Sequence, residues 1–374
     1  MRLARLGFAL SLSLAGLGTA SAANDVEIGV AAPLSGSDAV FGAQVRLGVE
    51  QAIADINAKG GFLGRHGRVV ARDDGSDAKQ AVDVAKAFVA AKIPIVIGDF
   101  SSVTTVAASA VYAQNNVLDI TPSALAPTVT DRGLQTVFRT SGRDDQQVGV
   151  MVRFLLSHHL SRIAIVHDRS SAGTALADSA RKLLSKAGVD DSFYGSFDKG
   201  TRDLSALANR IKNSGAAIVV FGGGPTEAGL LIRQLRDVNA RATLIGGSSL
   251  ASDDLPSSAG NAAEGTLVVF PRDPLTRAAA ADLLRRLRAK GQEPETYVFY
   301  AYAAIQVVDE AARTAQSLDP LKLAEAMHSG RQFATVLGNL VFDAKGDPVM
   351  SDDAIYVWHK SAAGHMVLDD QVKS

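Results

Sequence analysis

Short apolar runs alternate with longer amphipathic stretches along most of this chain. The run Val26–Ala32 is apolar at almost every position, which is typical of a strand buried on both faces. In the next stretch, 42–59, Val45, Val49 and Ile56 recur at the spacing of one helical face. The same pattern predicts further strands at 68–71, 93–97, 117–121, 136–139, 162–167, 217–221 and 243–245. It predicts helices between them at 78–91, 144–159, 172–187, 203–213 and 227–238.

This order of elements predicts an α/β fold built from two doubly wound units. Strands without polar alternation that are separated by helices indicate parallel sheets with helices on both faces. Two such units account for the chain to about residue 270. Three helices follow at 276–290, 296–314 and 319–329, and two closing strands at 340–343 and 354–360. Because this tail has too few strands for a third sheet, we expect it to complete the first two units. The chain then crosses between the units several times and forms a cleft at the crossings.

The N-terminus carries the three parts of a secretory signal peptide. Arg2 and Arg5 precede the apolar run 6–17, and small residues occupy 19–22. The run is too short to span the roughly 30 Å of a bilayer core as a helix. We expect cleavage after Ala22, and no cysteine follows that could carry a lipid anchor. The sequence therefore predicts a mature protein that is soluble outside the cytoplasm.

Composition and motifs argue against an enzyme, a nucleic-acid binder or a metalloprotein. The chain has 38 basic and 39 acidic residues and no cysteine, which excludes a strong positive field, disulfides and thiol chemistry. It contains no nucleophile elbow and no paired histidines at metal-ligand spacing. The triplet 222–224 is glycine throughout, but Glu227 stands where a phosphate-binding G-x-G-x-x-G would need its last glycine. We predict no catalytic residue, no cofactor and no metal.

Several short motifs resemble the type I periplasmic binding proteins that serve ABC importers, in particular the branched-chain amino acid group. The most specific is the run Ala54–Gly61, which reads A-D-I-N-A-K-G-G. The other matching stretches, in order along the chain, are Pro33–Gly36, Phe41-Gly42, Asp73-Asp74, Lys79–Ala81, Ile97-Gly98, Ser101-Ser102, Ile120–Pro122, Phe138–Thr140 and Ile163–Asp168.

The resemblance implies two lobes that close on a ligand, joined by three crossovers near 142, 270–271 and 347–348. It divides the mature chain into one lobe at 23–142 plus 272–347 and another at 143–271 plus 348–374. It also implies a monomer that docks on the permease of an ABC importer. A ligand sensor that reports to a receptor is the alternative, and an exported enzyme is a more distant one.

Ser102 is the first candidate for ligand binding, because it lies where a strand ends and a helix begins. Ser101 or Ser102 caps a helix that runs to about Gln114, and free N–H groups at a helix start favour an anion. In the family the matching serine holds the ligand carboxylate. A plain helix cap is the alternative.

The resemblance suggests further contacts in two groups. It implies backbone contacts from Ser123, Ala124 and Leu125, for which an ordinary loop is the alternative. It implies aromatic contacts from Phe41 and Tyr302, for which a place in the core is the alternative.

Four positions depart from the amino acid binders of the family. Leu125 replaces a threonine, Ala172 a tyrosine, Gly224 an aromatic residue and Ser248 a glutamate that neutralises the ligand ammonium. A desolvated ammonium needs such acceptors, although one of the aspartates at 144–145 could substitute. The sequence therefore leaves two ligand classes open: a branched-chain amino acid, or an aromatic or aliphatic acid without an amine.

Overall fold

The first lobe is built on a five-stranded parallel sheet. The computed structural model describes residues 25–349 and 353–369, so the predicted signal peptide lies outside the described residues. The strands are β1 (Val26–Ala32), β2 (Gly67–Asp73), β3 (Ile95–Ile97), β4 (Leu118–Thr121) and β5 (Val137–Arg139), in the order β2-β1-β3-β4-β5. The helices that cover them are α1 (Ala39–Asn57), α2 (Ala78–Ala90) and α3 (Ser102–Gln114).

The second lobe contains a seven-stranded sheet. Its first part comprises α4 (Gln146–Ser157), β6 (Ile163–His167), α5 (Ser171–Lys186), β7 (Phe193–Ser196), α6 (Ser205–Asn213), β8 (Ile218–Gly222), α7 (Pro225–Asp237), β9 (Thr243–Gly246), α8 (Asp254–Ala259) and β10 (Leu267–Pro271). The C-terminal tail, which contributes to both lobes, comprises α9 (Ala281–Ala289), α10 (Thr296–Ala315), α11 (Pro320–His328), β11 (Phe333–Thr335), β12 (Gly338–Leu340), β13 (Asp353–Lys360) and β14 (Met366–Asp369). The sheet order is β14-β13-β10-β9-β8-β6-β7.

The tail completes both lobes, as the strand count of the sequence predicts. Helices α9, α10 and α11 pack on the first sheet and share its hydrophobic core. Strand β13 instead pairs antiparallel with β10 and joins the second sheet. The chain therefore passes between the lobes after β5, after β10 and before β13, and these three crossings lie side by side. The α/β fold class with two parallel-sheet lobes is confirmed.

The helix α1 lies unusually close to α10. A Cβ atom at Gly48 would be 2.3 Å from the carbonyl oxygen of Val298, so glycine is what allows this approach. The N-terminus of α2 also follows the sequence, since the Asp77 carboxylate accepts the Gln80 N–H at 2.8 Å.

Other local predictions were wrong or incomplete. The strand expected at 340–343 is instead the three-residue strand β12, paired antiparallel with β11 in a small hairpin. Strands β7, β10, β11 and β14 and the short helix α8 were not predicted. β7 and β14 are edge strands of the second sheet with exposed or half-buried positions, so they lack the continuous apolar run of a central strand. None of the described helices has the length and apolar character needed to span a membrane.

Candidate ligand-binding cleft

The turn between β3 and α3 places Ser101 and Ser102 in different roles. Ser101 is the helix cap, because its hydroxyl accepts the Thr104 N–H at 3.1 Å. Ser102 is the first residue of α3, and its hydroxyl accepts the N–H of Ala126 from the neighbouring loop at 3.1 Å. Its side chain is half-buried. The helix start thus keeps free N–H groups beside Ser102, which is the arrangement that attracts a carboxylate.

The loop after β4 is tied to this turn by three side chains. The Thr121 hydroxyl donates to the carbonyl of Asp99 at 2.9 Å and accepts the Ala124 N–H at 3.1 Å. The Ser123 hydroxyl donates to the carbonyl of Phe100 at 2.7 Å. Together with the bond between Ser102 and Ala126, these contacts fix the two loops relative to each other.

Of the three residues predicted in this loop, two face open space. Ser123 and Leu125 line a cavity between the lobes. Ala124 is buried in a small apolar cluster with Val129 and Val137, and its carbonyl already accepts a hydrogen bond from Arg139 at 2.7 Å. Ala124 therefore packs into the core and stabilises the loop through these contacts.

Phe41 and Tyr297 line the same cavity between the lobes, and together with Phe100 they form a group of three packed aromatic rings. Phe41 stacks on Phe100 with their ring centroids 5.1 Å apart, and Tyr297 meets both rings edge-on at 5.8 and 5.0 Å. Phe41 was a sequence candidate, whereas Phe100 and Tyr297 were not. Phe100 directly precedes Ser101 and Ser102, and this position beside the candidate serines was the sequence signal that could have identified it.

Tyr302 does not lie with the other candidates. Its hydroxyl donates to the Asp55 carboxylate at 2.6 Å, and both residues line a separate groove on the outer side of α1 and α10. The reason is helical phase, because residues five apart on a helix point about 140° apart. Tyr297, five residues earlier on α10, is the tyrosine that faces the cleft.

The cavity at the crossings, which we call the hinge cavity, has a volume of about 550 Å³. The first lobe contributes aromatic and apolar side chains and Ser123, and the second lobe contributes Ser248 and Phe270. Its lining includes all three crossings, at 141–143, 270–274 and 353. Any ligand held here touches the segments that move when the lobes close.

A neighbouring cavity of about 690 Å³, the second-lobe cavity, lies against the ends of β6, β8 and β9. It contains Gly224, Ser248 and Ala172 from the second lobe and Pro127 from the first. Gln147 and Ser248 line both cavities and bond reciprocally, each of the two contacts measuring 3.1 Å. Ser248 is therefore a neutral, fixed hydrogen-bonding group on the wall of the cleft.

Gly224 leaves limited additional room. A Cβ atom at this position would be 2.7 Å from the Glu227 carboxylate. Glu227 is buried and accepts the N–H of Gly200 at 2.9 Å. This carboxylate covers the start of α7, which removes the phosphate-binding alternative for the glycine triplet on electrostatic grounds.

Buried charges tie the crossings together. Asp347, which is fully buried, lies 2.6 Å from Arg139 of β5 and 2.6 Å from Arg143 at the first crossing. Thr130 donates to the same carboxylate at 2.8 Å. Gln146 donates to the carbonyl of Pro348 at 2.7 Å. The first and third crossings are thus bound directly to each other.

A second group of buried acidic side chains lies at the turn between β3 and α3. Burial raises the pKa of Asp99 well above its usual range, and the neighbouring carboxylates of Asp119 and Asp74 raise that pKa further. Burial also raises the pKa of Asp119. In the described part of the chain, no group of three or more His, Asp or Glu side chains is arranged to hold a metal ion.

Comparison with known proteins gives consistent matches over nearly the whole chain. A family model described as periplasmic binding protein matches residues 25–363. Leu/Ile/Val-binding protein homolog 1 of Brucella melitensis biotype 1 is 42% identical over 359 residues, which cover 96% of each chain. An amino acid binding protein of Pseudomonas aeruginosa is 39% identical over 360 residues, covering 95% of this chain and 96% of the relative. A solved ABC transporter substrate-binding protein from Desulfitobacterium hafniense has a TM-score of 0.73 at 25% identity, covering 92% of this chain and 99% of that one.

Proposed function

The chain belongs to the periplasmic binding protein family, and from that premise we propose that it captures a small apolar α-amino acid between its two lobes. The relatives that share 42% and 39% of its residues are named for binding Leu/Ile/Val and amino acids. The resemblance identified in the sequence is confirmed at the level of the family. An aromatic or aliphatic acid without an amine is the competing ligand class.

The observation that carries the proposal is the pair of braced loops at Ser102 and Ser123. The ligand carboxylate binds at the start of α3, where the Ser102 hydroxyl and the free N–H groups converge. Because hydrogen bonds within the protein hold the loops in place, little ordering free energy is lost on binding. The Phe41, Phe100 and Tyr297 rings accept the apolar side chain of the ligand.

The proposal extends to location and partners. The signal sequence directs the chain to the periplasm, where cleavage after Ala22 releases it without a lipid anchor. The loaded, closed form docks as a monomer on the permease of an ABC importer. Its lobes comprise 23–142 plus 272–347 and 143–271 plus 348–374, and it binds its ligand without transforming it.

Substitution of Ser102 by Ala tests the carboxylate site. A hydrogen bond to a charged group contributes about 1.5–3 kcal/mol, so isothermal titration calorimetry should show affinity for the ligand weakened about 10- to 150-fold. Ser101→Ala is the matched control. It removes a helix cap, which lowers the melting temperature, but the Ser101 hydroxyl is engaged by Thr104 and ligand affinity should change little. Unchanged affinity in Ser102→Ala would refute the proposed carboxylate site.

A further inference from the structure

Asp168 is a buried carboxylate at the end of β6 that no predicted role explains. Its side chain is only 3% exposed, yet it lines the second-lobe cavity. One oxygen, Oδ1, accepts the N–H of Ser170 at 2.9 Å and the Ser170 hydroxyl at 2.5 Å. Within residues 25–349 and 353–369 the other oxygen has no hydrogen-bond partner. Asp168 is therefore a fixed carboxylate with one acceptor atom still available.

Glycines surround this carboxylate and keep its place open. A Cβ atom at Gly173 would be 2.4 Å from Asp168 Oδ1, and one at Gly223 would be 3.1 Å from the Asp168 Cβ atom. The N–H of Asp168 donates to the carbonyl of Gly222 at 2.9 Å, which holds the residue against the neighbouring strand β8. The position of the carboxylate is thus set by backbone on three sides and not by a mobile loop.

The nearby cations do not neutralise Asp168. Arg169 is turned away and pairs with Asp198 at 2.8 Å. His167, on the strand itself, hydrogen-bonds through Nδ1 to Arg169 N–H and to Thr174. Lys199 lines the same cavity, but among the described side chains it forms no ion pair with Asp168. A buried carboxylate without a cation is costly, and a positive group entering the cavity would relieve that cost.

We infer that Asp168 accepts the ammonium group of the bound amino acid. The inference rests on the proposed function, since it requires a ligand that carries an amine. Pro127, next to the Ala126 N–H that binds Ser102, lines the same cavity as Asp168. The second-lobe cavity that Asp168 lines therefore reaches the first-lobe loop that is bonded to Ser102, so that closure of the lobes around one zwitterion engages its carboxylate at Ser102 and its ammonium at Asp168.

Asp144 is the competing acceptor in this cavity. The residue as a whole is exposed to solvent, whereas partial burial of its carboxyl group raises the pKa of that group. No hydrogen bond orients the Asp144 side chain among the described residues, whereas two orient that of Asp168. A pre-oriented carboxylate in a water-poor slot stabilises a cation more than an exposed one does. Asp144→Asn therefore tests the competing acceptor.

The test compares two probes, L-leucine and 4-methylpentanoic acid, which has the same carboxylate and side chain but no amine. Calorimetry is done on the wild-type protein, Asp168→Asn and Asp144→Asn. We expect Asp168→Asn to weaken L-leucine binding about 30-fold or more and to leave 4-methylpentanoic acid binding within about 3-fold. Weaker L-leucine binding in Asp144→Asn and not in Asp168→Asn would assign the ammonium to Asp144 and overturn the inference. If Asp168→Asn does not fold, Asp168→Ser, which is smaller and neutral, takes its place.

The outcomes separate this inference from the proposed function. If Asp168→Asn binds L-leucine as tightly as the wild-type protein does, the role of Asp168 is overturned but the proposed function is not. Equal weakening of both probes indicates a structural role and also overturns it. If the wild-type protein binds 4-methylpentanoic acid but not L-leucine, the proposed amino acid ligand fails, and the ammonium site fails with it.

Discussion

The buried ion cluster at the crossings gives the sharpest prediction about stability. Asp347 lies between the guanidinium groups of Arg139 and Arg143, 2.6 Å from each, and Thr130 donates to it at 2.8 Å. Asp347→Asn keeps the shape of the side chain and removes its charge. Arg143 retains a partner in Asp145, but Arg139 is then left as a buried cation without a carboxylate.

The size of the loss follows from this geometry. Removing one partner of a buried ion pair costs about 3–5 kcal/mol. We expect a value near the lower end, because Arg139 still donates to the carbonyls of Ala124 and Ala126. For a lobe of this size, about 3 kcal/mol corresponds to a melting temperature lowered by roughly 6–12 °C.

Urea and thermal unfolding followed by circular dichroism measure the effect. Asp131→Asn is the control, because Asp131 also pairs with Arg143, at 3.1 Å, but its side chain is 41% exposed. An exposed ion pair contributes about 1 kcal/mol or less. If Asp347→Asn lowers the free energy of unfolding no more than Asp131→Asn does, the reasoning about the buried cluster is refuted.

Two further predictions concern other parts of the first lobe. Because burial and its acidic neighbours raise the pKa of Asp99, the folded state keeps a proton that the unfolded chain releases near pH 4. Urea titrations between pH 5 and pH 8 measure the free energy of unfolding of the wild-type protein and of Asp99→Asn. The wild-type value minus the Asp99→Asn value should fall as pH rises, by at most about 1.4 kcal/mol per pH unit. A difference that stays constant or rises with pH contradicts this reasoning. Tyr302→Phe removes the bond to Asp55 and should lower the free energy of unfolding by about 1 kcal/mol without changing ligand affinity, whereas Tyr297→Ala should weaken ligand binding. If calorimetry shows weaker ligand binding for Tyr302→Phe and unchanged binding for Tyr297→Ala, Tyr302 and not Tyr297 contacts the ligand.

Much of the fold could be predicted because central parallel strands have a simple signature. Strand β1 is predicted with its exact bounds, and α10 within one residue of its end. Strand β10 was also not predicted although it lies inside the second sheet, between β9 and β13; the other missing strands of that sheet, β7 and β14, lie at its edges, where many positions are exposed or half-buried. There the apolar run that identifies a central strand is absent.

The candidate site could be predicted only where position along a strand determines it. Ser102 and Ser123 follow the ends of neighbouring parallel strands, so topology alone places them at one edge of the sheet. Tyr302 was misplaced because choosing among aromatic residues on one helix requires its rotational phase. Asp168 also follows a strand end, but its significance depends on burial and on the glycines packed around it, which only the structure reveals.

The central claim is most directly tested by a thermal-shift and calorimetric titration of the chain without its proposed signal peptide, residues 23–374. The titrants are L-leucine, L-isoleucine and L-valine, with 4-methylpentanoic acid for comparison. A true ligand at about 1,000 times its Kd adds about 4 kcal/mol to the free energy of unfolding. The account predicts saturable binding of one amino acid per chain, weaker for the amine-free acid and weakened further by Ser102→Ala. Binding of the acid in preference to all three amino acids, or no stabilisation by any of the four, would contradict it.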